Sequence, residues 1–316
     1  MTLADDTAVW AARANRAGVL WLGPALQHAL MPTLGATPHF LADEEGDDGV
    51  VWQEFARGPF RLGYVGFPIG GTLQGLAVGK ARIARLLGSA PGRRLHVLRV
   101  IGAAFNPSEG LTTRAQQFLP ETKILDLQQF DPLCIGHIRR DITRAKQLGV
   151  VVSPVESTDH AKAIYGAYAQ MVTSHGGAPK YSQSYFSELV QISMREHRMR
   201  VYLATVENRF AGFLVAVLER DVGYYLHSAV LPEFRKCSVT DLLLLTALQT
   251  ARAAGLKAFN SMASPPSQPG LVRFKEKWGG VTQQQTVYEL RLSPLIAAVM
   301  RAGATMQRFL PRANND

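Results

Sequence analysis

The segment Pro269-Gly-Leu-Val-Arg-Phe-Lys-Glu-Lys-Trp-Gly-Gly280 places Arg273, Lys275 and Lys277 within five residues and interleaves them with Phe274 and Trp278. Helical residues four apart share a face. Phe274 and Trp278 therefore form one line suited to burial, Arg273 and Lys277 form a cationic line, and Lys275 lies on a third. Cations held in place by buried aromatics suit a phosphate or carboxylate ligand. A basic amphipathic helix with a solvated edge explains the same spacing.

The flanking sequence predicts the elements that position this segment. Residues 201–206, 210–218 and 223–229 read as three strands, with Glu207-Asn-Arg209 as a turn between the first two. After a polar loop, Thr240 is placed to cap a helix running through LLLLTALQTARAA, which Gly255 ends. Residues 258–262 read as a strand, the basic segment follows, and 282–292 closes with another strand. Upstream, helices are expected at 7–17, 24–31, 74–87 and 133–148. Strands are expected at 37–42, 49–55, 60–65, 95–101, 122–126 and 150–153. Two more helices are expected across 158–196. The domain boundary is placed near 147, dividing the chain into 1–147 and 148–295, with a helical tail at 296–316. That tail, apolar with a few arginines, suits either packing on the first domain or an interfacial position on a membrane.

Composition narrows the function class. At 316 residues with 47% hydrophobic content, the chain is long enough for one or two well-packed domains. No stretch approaches the ~20 apolar residues of a membrane span, and no signal peptide is evident at the N-terminus. Cys134 and Cys237 are far apart, and neither HExxH nor CxxC occurs, so no metal is expected and a reduced, cytoplasmic setting is. The net charge of +9 favours anionic partners: RNA, lipid headgroups or phosphorylated substrates. The basic runs His137–Lys146 and Arg195–Arg200 carry much of it, although both could be solvated surfaces.

Three strands, a helix, a strand, a short helix and a strand is the order of a GNAT-type acyltransferase domain. Arg139-Arg140-Asp-Ile-Thr-Arg-Ala-Lys-Gln-Leu-Gly-Val150, Gly176-Gly-Ala-Pro179 with Tyr185-Phe186, and RFKEKWGG follow one another in order. Together they resemble the FemAB-like branch of that superfamily, most of all members associated with exopolysaccharide export. The resemblance is good over the last 180 residues or so and holds only in outline before that. It implies an α/β fold of two tandem GNAT-type domains with mixed, mostly antiparallel sheets. It also implies amide formation on an amine, with aminoacyl-tRNA as acyl donor and no other cofactor. The family's anion-stabilising lysine corresponds most naturally to Lys275, with Lys277 second.

Ordinary GNAT enzymes bind the pyrophosphate of acyl-CoA on an Arg/Gln-x-x-Gly-x-Gly/Ala loop, where glycines allow close approach to backbone N–H groups. The corresponding stretch is Arg235-Lys-Cys-Ser-Val-Thr240, with Ser238 and Thr240 in the glycine positions. This argues against ordinary CoA binding, although both hydroxyls could hydrogen-bond an anion. Acyl transfer to an amine requires positioning, proton removal and oxyanion stabilisation. Candidate bases are His227, whose intrinsic pKa suits the task, and Glu219 or Asp221 in the preceding turn. One of Tyr224 and Tyr225 must face any cleft on the sheet, since neighbours in a strand alternate; Tyr225 is the candidate carried forward. Tyr181 is expected to line the acceptor groove, and Arg273 and Lys277 to bind substrate.

The reading is therefore an N-acyltransferase acting on an anionic small-molecule, peptide or glycan-precursor amine. Acyl-CoA or an acyl-carrier protein is the alternative donor. A non-catalytic module for anionic glycan precursors or RNA is the alternative class.

Overall fold

The computed structural model describes residues 7–67, 69–73, 78–101, 113–265 and 268–293. The chain forms two compact units, one from Met1–Thr7, Thr37–Gln117 and Thr286–Asp316, the other from Ala8–Ala36 and Phe118–Gln285. They interleave along the sequence, so no single cut, at 147 or elsewhere, separates them. The expected tail at 296–316 lies outside the described residues.

The first unit is built on strands β1 (Ala36–Ala42), β2 (Gly49–Arg57), β3 (Phe60–Val65) and β4 (Val97–Ile101), with helix α3 (Lys80–Gly88). β2 and β3 form an antiparallel hairpin, and β3 runs parallel to β4. The end of β11 (Val281–Arg291) pairs antiparallel with β4, from Val287 opposite Ile101 to Arg291 opposite Val97. α3 buries Ile83 and Leu86 in a core with Val50, Trp52, Val65 and Leu98. Its polar edge is fixed by Arg82 and Arg85, which both reach Asp43.

The second unit begins with α1 (Thr7–Arg16) and α2 (Pro24–Leu30). It continues with the end of β5 (Thr113–Ile124), from Phe118 on, then α4 (Gly136–Gln147), β6 (Val150–Pro154), α5 (His160–Ser174) and α6 (Gln183–Arg195). Then come β7 (Met199–Val206), β8 (Arg209–Glu219), β9 (Val222–Val230), α7 (Val239–Ala253), β10 (Ala258–Ala263), α8 (Pro269–Lys277) and the start of β11. The strands lie in the order β11-β5-β10-β9-β8-β7-β6. Alternation along β8 sends Leu214 to a core with α4 and α7, and Phe213 to Phe186 of α6 on the other face. The expected meander, the long helix after it and the basic helix are all present. The strand expected at 122–126 is the end of a longer β5.

One expectation about a helix start is corrected. α7 begins at Val239, and Ser238, not Thr240, occupies the capping position, with a left-handed backbone at φ 55° and no side-chain cap.

Candidate active site

β9 and β10 run parallel, and their registered pairing covers only Ala258↔Val222, Phe259↔Gly223 and Asn260↔Tyr224. The contact is close there: a Cβ on Gly223 would lie 2.6 Å from the Phe259 ring. Beyond Tyr224, β9 continues to Val230 unpaired with β10, so the sheet opens. Residues 225–230 form one lip of the opening and 261–263 the other.

Lys275 braces the β10 lip. Its side chain is only 4% exposed. Its Nζ donates to Met262 O at 2.8 Å, Ser264 Oγ at 2.8 Å and Ala263 O at 3.4 Å. An ammonium has three N–H donors, and all three have protein acceptors here. Met262 is held in a left-handed conformation at φ 63°. Burial lowers the Lys275 pKa to about 8, against the pull of Glu121. Lys275 thus reaches the opening, but as a buried brace and not as the exposed cation that the spacing suggested.

Lys277 is also committed. Its Nζ lies 2.8 Å from Asp141 of α4 and 2.9 Å from Asp241 of α7, and it sits over the Phe274 ring. Despite partial burial, these two carboxylates raise its pKa. Arg273, the third cation of the segment, is exposed.

The β9 lip contains an irregularity that redirects side chains. Val215 of β8 pairs with His227 and Ala216 with Tyr225, so Leu226 is an extra, bulged residue. Tyr225 packs toward the α7 core, its hydroxyl hydrogen-bonded to Ser228. Burial pushes its pKa up to about 12, so it stays a proton donor. His227 instead meets Tyr181, Tyr185 and Phe186 on the α5–α6 face. Its Nε2 lies 2.9 Å from Tyr185 Oη, and desolvation lowers its pKa to about 3. Tyr181 stacks on Tyr185 within that same aromatic cluster, and burial raises its pKa to about 12.

Glu219 is placed apart from these groups. It ends β8 opposite Val222, five residues from His227 along β9, about 16 Å at strand spacing. Its carboxylate accepts from the backbone N–H groups of Leu20 and Trp21, and burial raises its pKa to about 7. This geometry makes it an anchor for the α1–α2 connection. Asp221, the other acid of that turn, pairs with Lys257 at 2.9 Å.

The loop expected to meet the acyl donor lies at the other end of β9. A 3₁₀ turn, Pro232–Cys237, leads into Ser238 and α7. Arg235 is exposed, with Ser174 Oγ at 3.5 Å, and Thr240 is half-buried in the first helical turn. Asp241 is the acidic residue of that turn.

Residue spacing alone points to none of Asp141, Asp241 and Glu121. Glu121 accepts from Asn260 at 2.9 Å and pairs with Lys123 at 2.7 Å on the strand beside β10. A polar Asn260 inside the apolar stretch 258–262 was the available signal for that pair.

A parallel strand pair that opens next to a helix N-terminus, with a bulged strand on one lip, is the arrangement expected of a GNAT-type fold. Residues 134–275 match the family described as an acetyltransferase (GNAT) domain. The L-PGS structure from Bacillus licheniformis shares the fold at a TM-score of 0.61 and 15% identity, covering 95% of this chain and 96% of that one. The FemX structure does so at 0.60 and 12%, covering 86% and 92%. A tandem GNAT protein from clavulanic acid biosynthesis does so at 0.53 and 13%, covering 93% and 98%. No curated protein matches in sequence. Residues 134–275 thus carry a GNAT-type acyltransferase domain, and the chain shares its fold with FemX.

Proposed function

We propose that this chain is an aminoacyltransferase that draws its acyl group from aminoacyl-tRNA and forms an amide on an amine acceptor. The observation that carries the donor choice is Asp241. A helix N-terminus attracts a pyrophosphate through free N–H groups and its dipole. Here the first turn of α7 already holds a carboxylate, itself paired with Lys277. Ser238 adds a side chain at the left-handed position where a glycine would let phosphate approach. Both features disfavour free CoA.

The chemistry needs little covalent assistance. The amine nitrogen attacks the ester carbonyl, the C–O bond breaks, and the ribose hydroxyl leaves with a proton. Tyr225, protonated and on the α7 face, is the group proposed to supply that proton, and it recovers one from the attacking nitrogen, which sheds an N–H proton as the amide forms. Lys275 is proposed to act through the β10 lip, holding its backbone where the oxyanion develops. The exposed cations Arg235 and Lys236, with Arg139, Arg140, Arg144 and Lys146 of α4, would meet RNA phosphates. One similar structure, from Agrobacterium fabrum, is described as the C-terminal domain of a lysylphosphatidylglycerol synthetase assigned by similarity, and an aminoacylated product of that kind supports an aminoacyl donor. The acceptor would be an amine on a peptide or glycan precursor, such as those of peptidoglycan or exopolysaccharide.

An acyl-CoA or carrier-protein donor is the second reading, favoured by the hydroxyls of Ser238 and Thr240 beside the α7 N-terminus. Calorimetry with acetyl-CoA, set against binding of charged and uncharged tRNA across a salt series, separates the two. The expected result is weak or absent acetyl-CoA binding and tRNA binding that falls steeply with salt. Micromolar, stoichiometric acetyl-CoA binding without salt-sensitive tRNA binding would promote the second reading.

A further inference from the structure

The basic run Arg195–Arg200 plays no part in the opening between β9 and β10. It contributes instead to a cavity of about 620 Å³ at the other end of α7. The cavity is open to solvent, and its lining includes His197, Arg198, Arg200 and Arg220 together with Leu218 and Ala254. α7 has 15 residues, so this end lies about 22 Å from the donor loop. The two sites are distinct.

The arginines come together because three elements end here. β7 starts at Met199, β8 stops at Glu219, and α7 stops at Ala253. Arg200 pairs across the ladder with Ala216, which places it on the α7 face of the sheet. Arg220 follows β8 in a left-handed turn, at φ 48°. Arg198 is anchored by a hydrogen bond to Gly18 O.

The charge balance is lopsided. No salt bridge is present at Arg200 or Arg220 among the described residues. The Glu219 carboxylate feels the charges of Arg198 and Arg220, but its hydrogen bonds go to the Leu20 and Trp21 N–H groups. Asp221 is occupied by Lys257. The C-terminal dipole of α7 supplies about half a negative charge, too little to offset three guanidinium groups. Arginine N–H forks match phosphate geometry, and Arg198 has further N–H groups beyond the one on Gly18 O. The volume is that of a small-molecule site and far more than a bare ion fills.

We propose that this cavity binds a small organic phosphate, with its phosphate on Arg198, Arg200 and Arg220 and its apolar part on Leu218 and Ala254. The site is separate from acyl transfer and does not rest on the donor chosen above.

Calorimetry on the full chain with AMP, adenosine, inorganic phosphate and phosphatidic acid vesicles tests this. Arg200→Gln and Arg200→Gln/Arg220→Gln serve as variants, with thermal melts confirming that each is folded. AMP is expected to bind at least tenfold more tightly than inorganic phosphate, and adenosine not to bind. The single variant is expected to weaken AMP by several-fold, and the double variant by more than tenfold. Vesicle binding lost in the same variants would identify a lipid headgroup as the source of the phosphate. Binding that is equal in wild type and the double variant overturns the proposal, as does no binding of any phosphate probe. Inorganic phosphate binding as tightly as AMP removes the organic part of it.

Discussion

Tyr225 and His227, two residues apart on β9, face opposite sides of the sheet. In a regular strand they would share a face. The bulge at Leu226 turns Tyr225 toward α7 and Ser228, and leaves His227 among Tyr181, Tyr185 and Phe186. Of the two, only Tyr225 lies on the α7 side, which carries the loop proposed to meet the donor. His227, pushed down to about 3 and bonded to Tyr185, is a poor base at neutral pH.

The two residues should therefore respond differently to substitution. Tyr225→Phe removes one hydroxyl and its bond to Ser228, costing about 1 kcal/mol of stability. Turnover should fall by more than tenfold, about 1.4 kcal/mol or more in the barrier. His227→Phe keeps an aromatic ring in the cluster but strands the Tyr185 hydroxyl, at about 1–3 kcal/mol of stability. Its turnover should change less than that of Tyr225→Phe. Thermal melts and single-turnover acyl transfer on both variants measure this; the reverse ranking would return the catalytic role to His227.

This contrast also shows what the sequence could and could not reveal. The run GYYLHSA is apolar and β-prone, so the strand itself was legible. The bulge was not, because residue types do not mark where a ladder gains an extra residue. In the same way, the basic helix was legible from the Phe274 and Trp278 spacing, but the fate of its cations was not. Lys277 meets Asp141 and Asp241, which lie 136 and 36 residues away in sequence. Lys275 is buried because the left-handed turn at Met262 offers it three acceptors, and nothing in the helix pattern reports that turn. The interleaving of the two units was hidden for a similar reason. Ile138, Ile142 and Ala145 of α4 join the core of α7, a contact that local periodicity does not encode.

Lys275 should affect both stability and rate. Lys275→Ala leaves the carbonyls of Met262 and Ala263 and the Ser264 hydroxyl without their donor. Loss of bonds from a charged group costs about 1.5–3 kcal/mol each in favourable cases, offset here by no longer burying an ammonium. A net loss of about 2 kcal/mol is expected, together with a more than tenfold drop in turnover because the β10 lip is no longer held. Denaturant melts and kinetics on the same preparation provide the check. Unchanged stability with unchanged activity would leave the residue no role at the opening.

Asp241 offers a test of the donor argument by gain of binding. Asp241→Asn removes the carboxylate from the first turn of α7 while Lys277 keeps Asp141. The α7 N-terminus then has more positive potential for an incoming anion. Affinity for acetyl-CoA should rise about two- to fivefold, the range of 0.3–1 kcal/mol for a charge at a helix end. Calorimetry at low ionic strength reads this directly, and an unchanged or weaker affinity would detach Asp241 from donor choice.

The final prediction concerns pH, where Glu219 and His227 act against each other. Glu219 titrates near 7 in the folded chain against an ordinary 4.5, because it is buried. Between those values the folded state holds more protons than the unfolded one. Its contribution is complete below 4.5 and is lost as pH rises through about 7, a loss of about 3 kcal/mol at most. His227 titrates near 3 against an ordinary 6.5. The unfolded state holds the extra proton there, so its contribution is complete above 6.5 and is lost as pH falls toward 3. From 4.5 to 6.5 the two slopes are equal and opposite. Single substitutions expose each slope. Glu219→Gln should make stability rise more steeply with pH than in wild type across that window, and His227→Phe should make it fall. Chemical denaturation at half-unit pH steps on the three proteins gives the slopes. Parallel curves for wild type and Glu219→Gln would show that the Glu219 carboxyl titrates alike in the folded and unfolded chains, and that its bonds to Leu20 and Trp21 cancel the cost of burial.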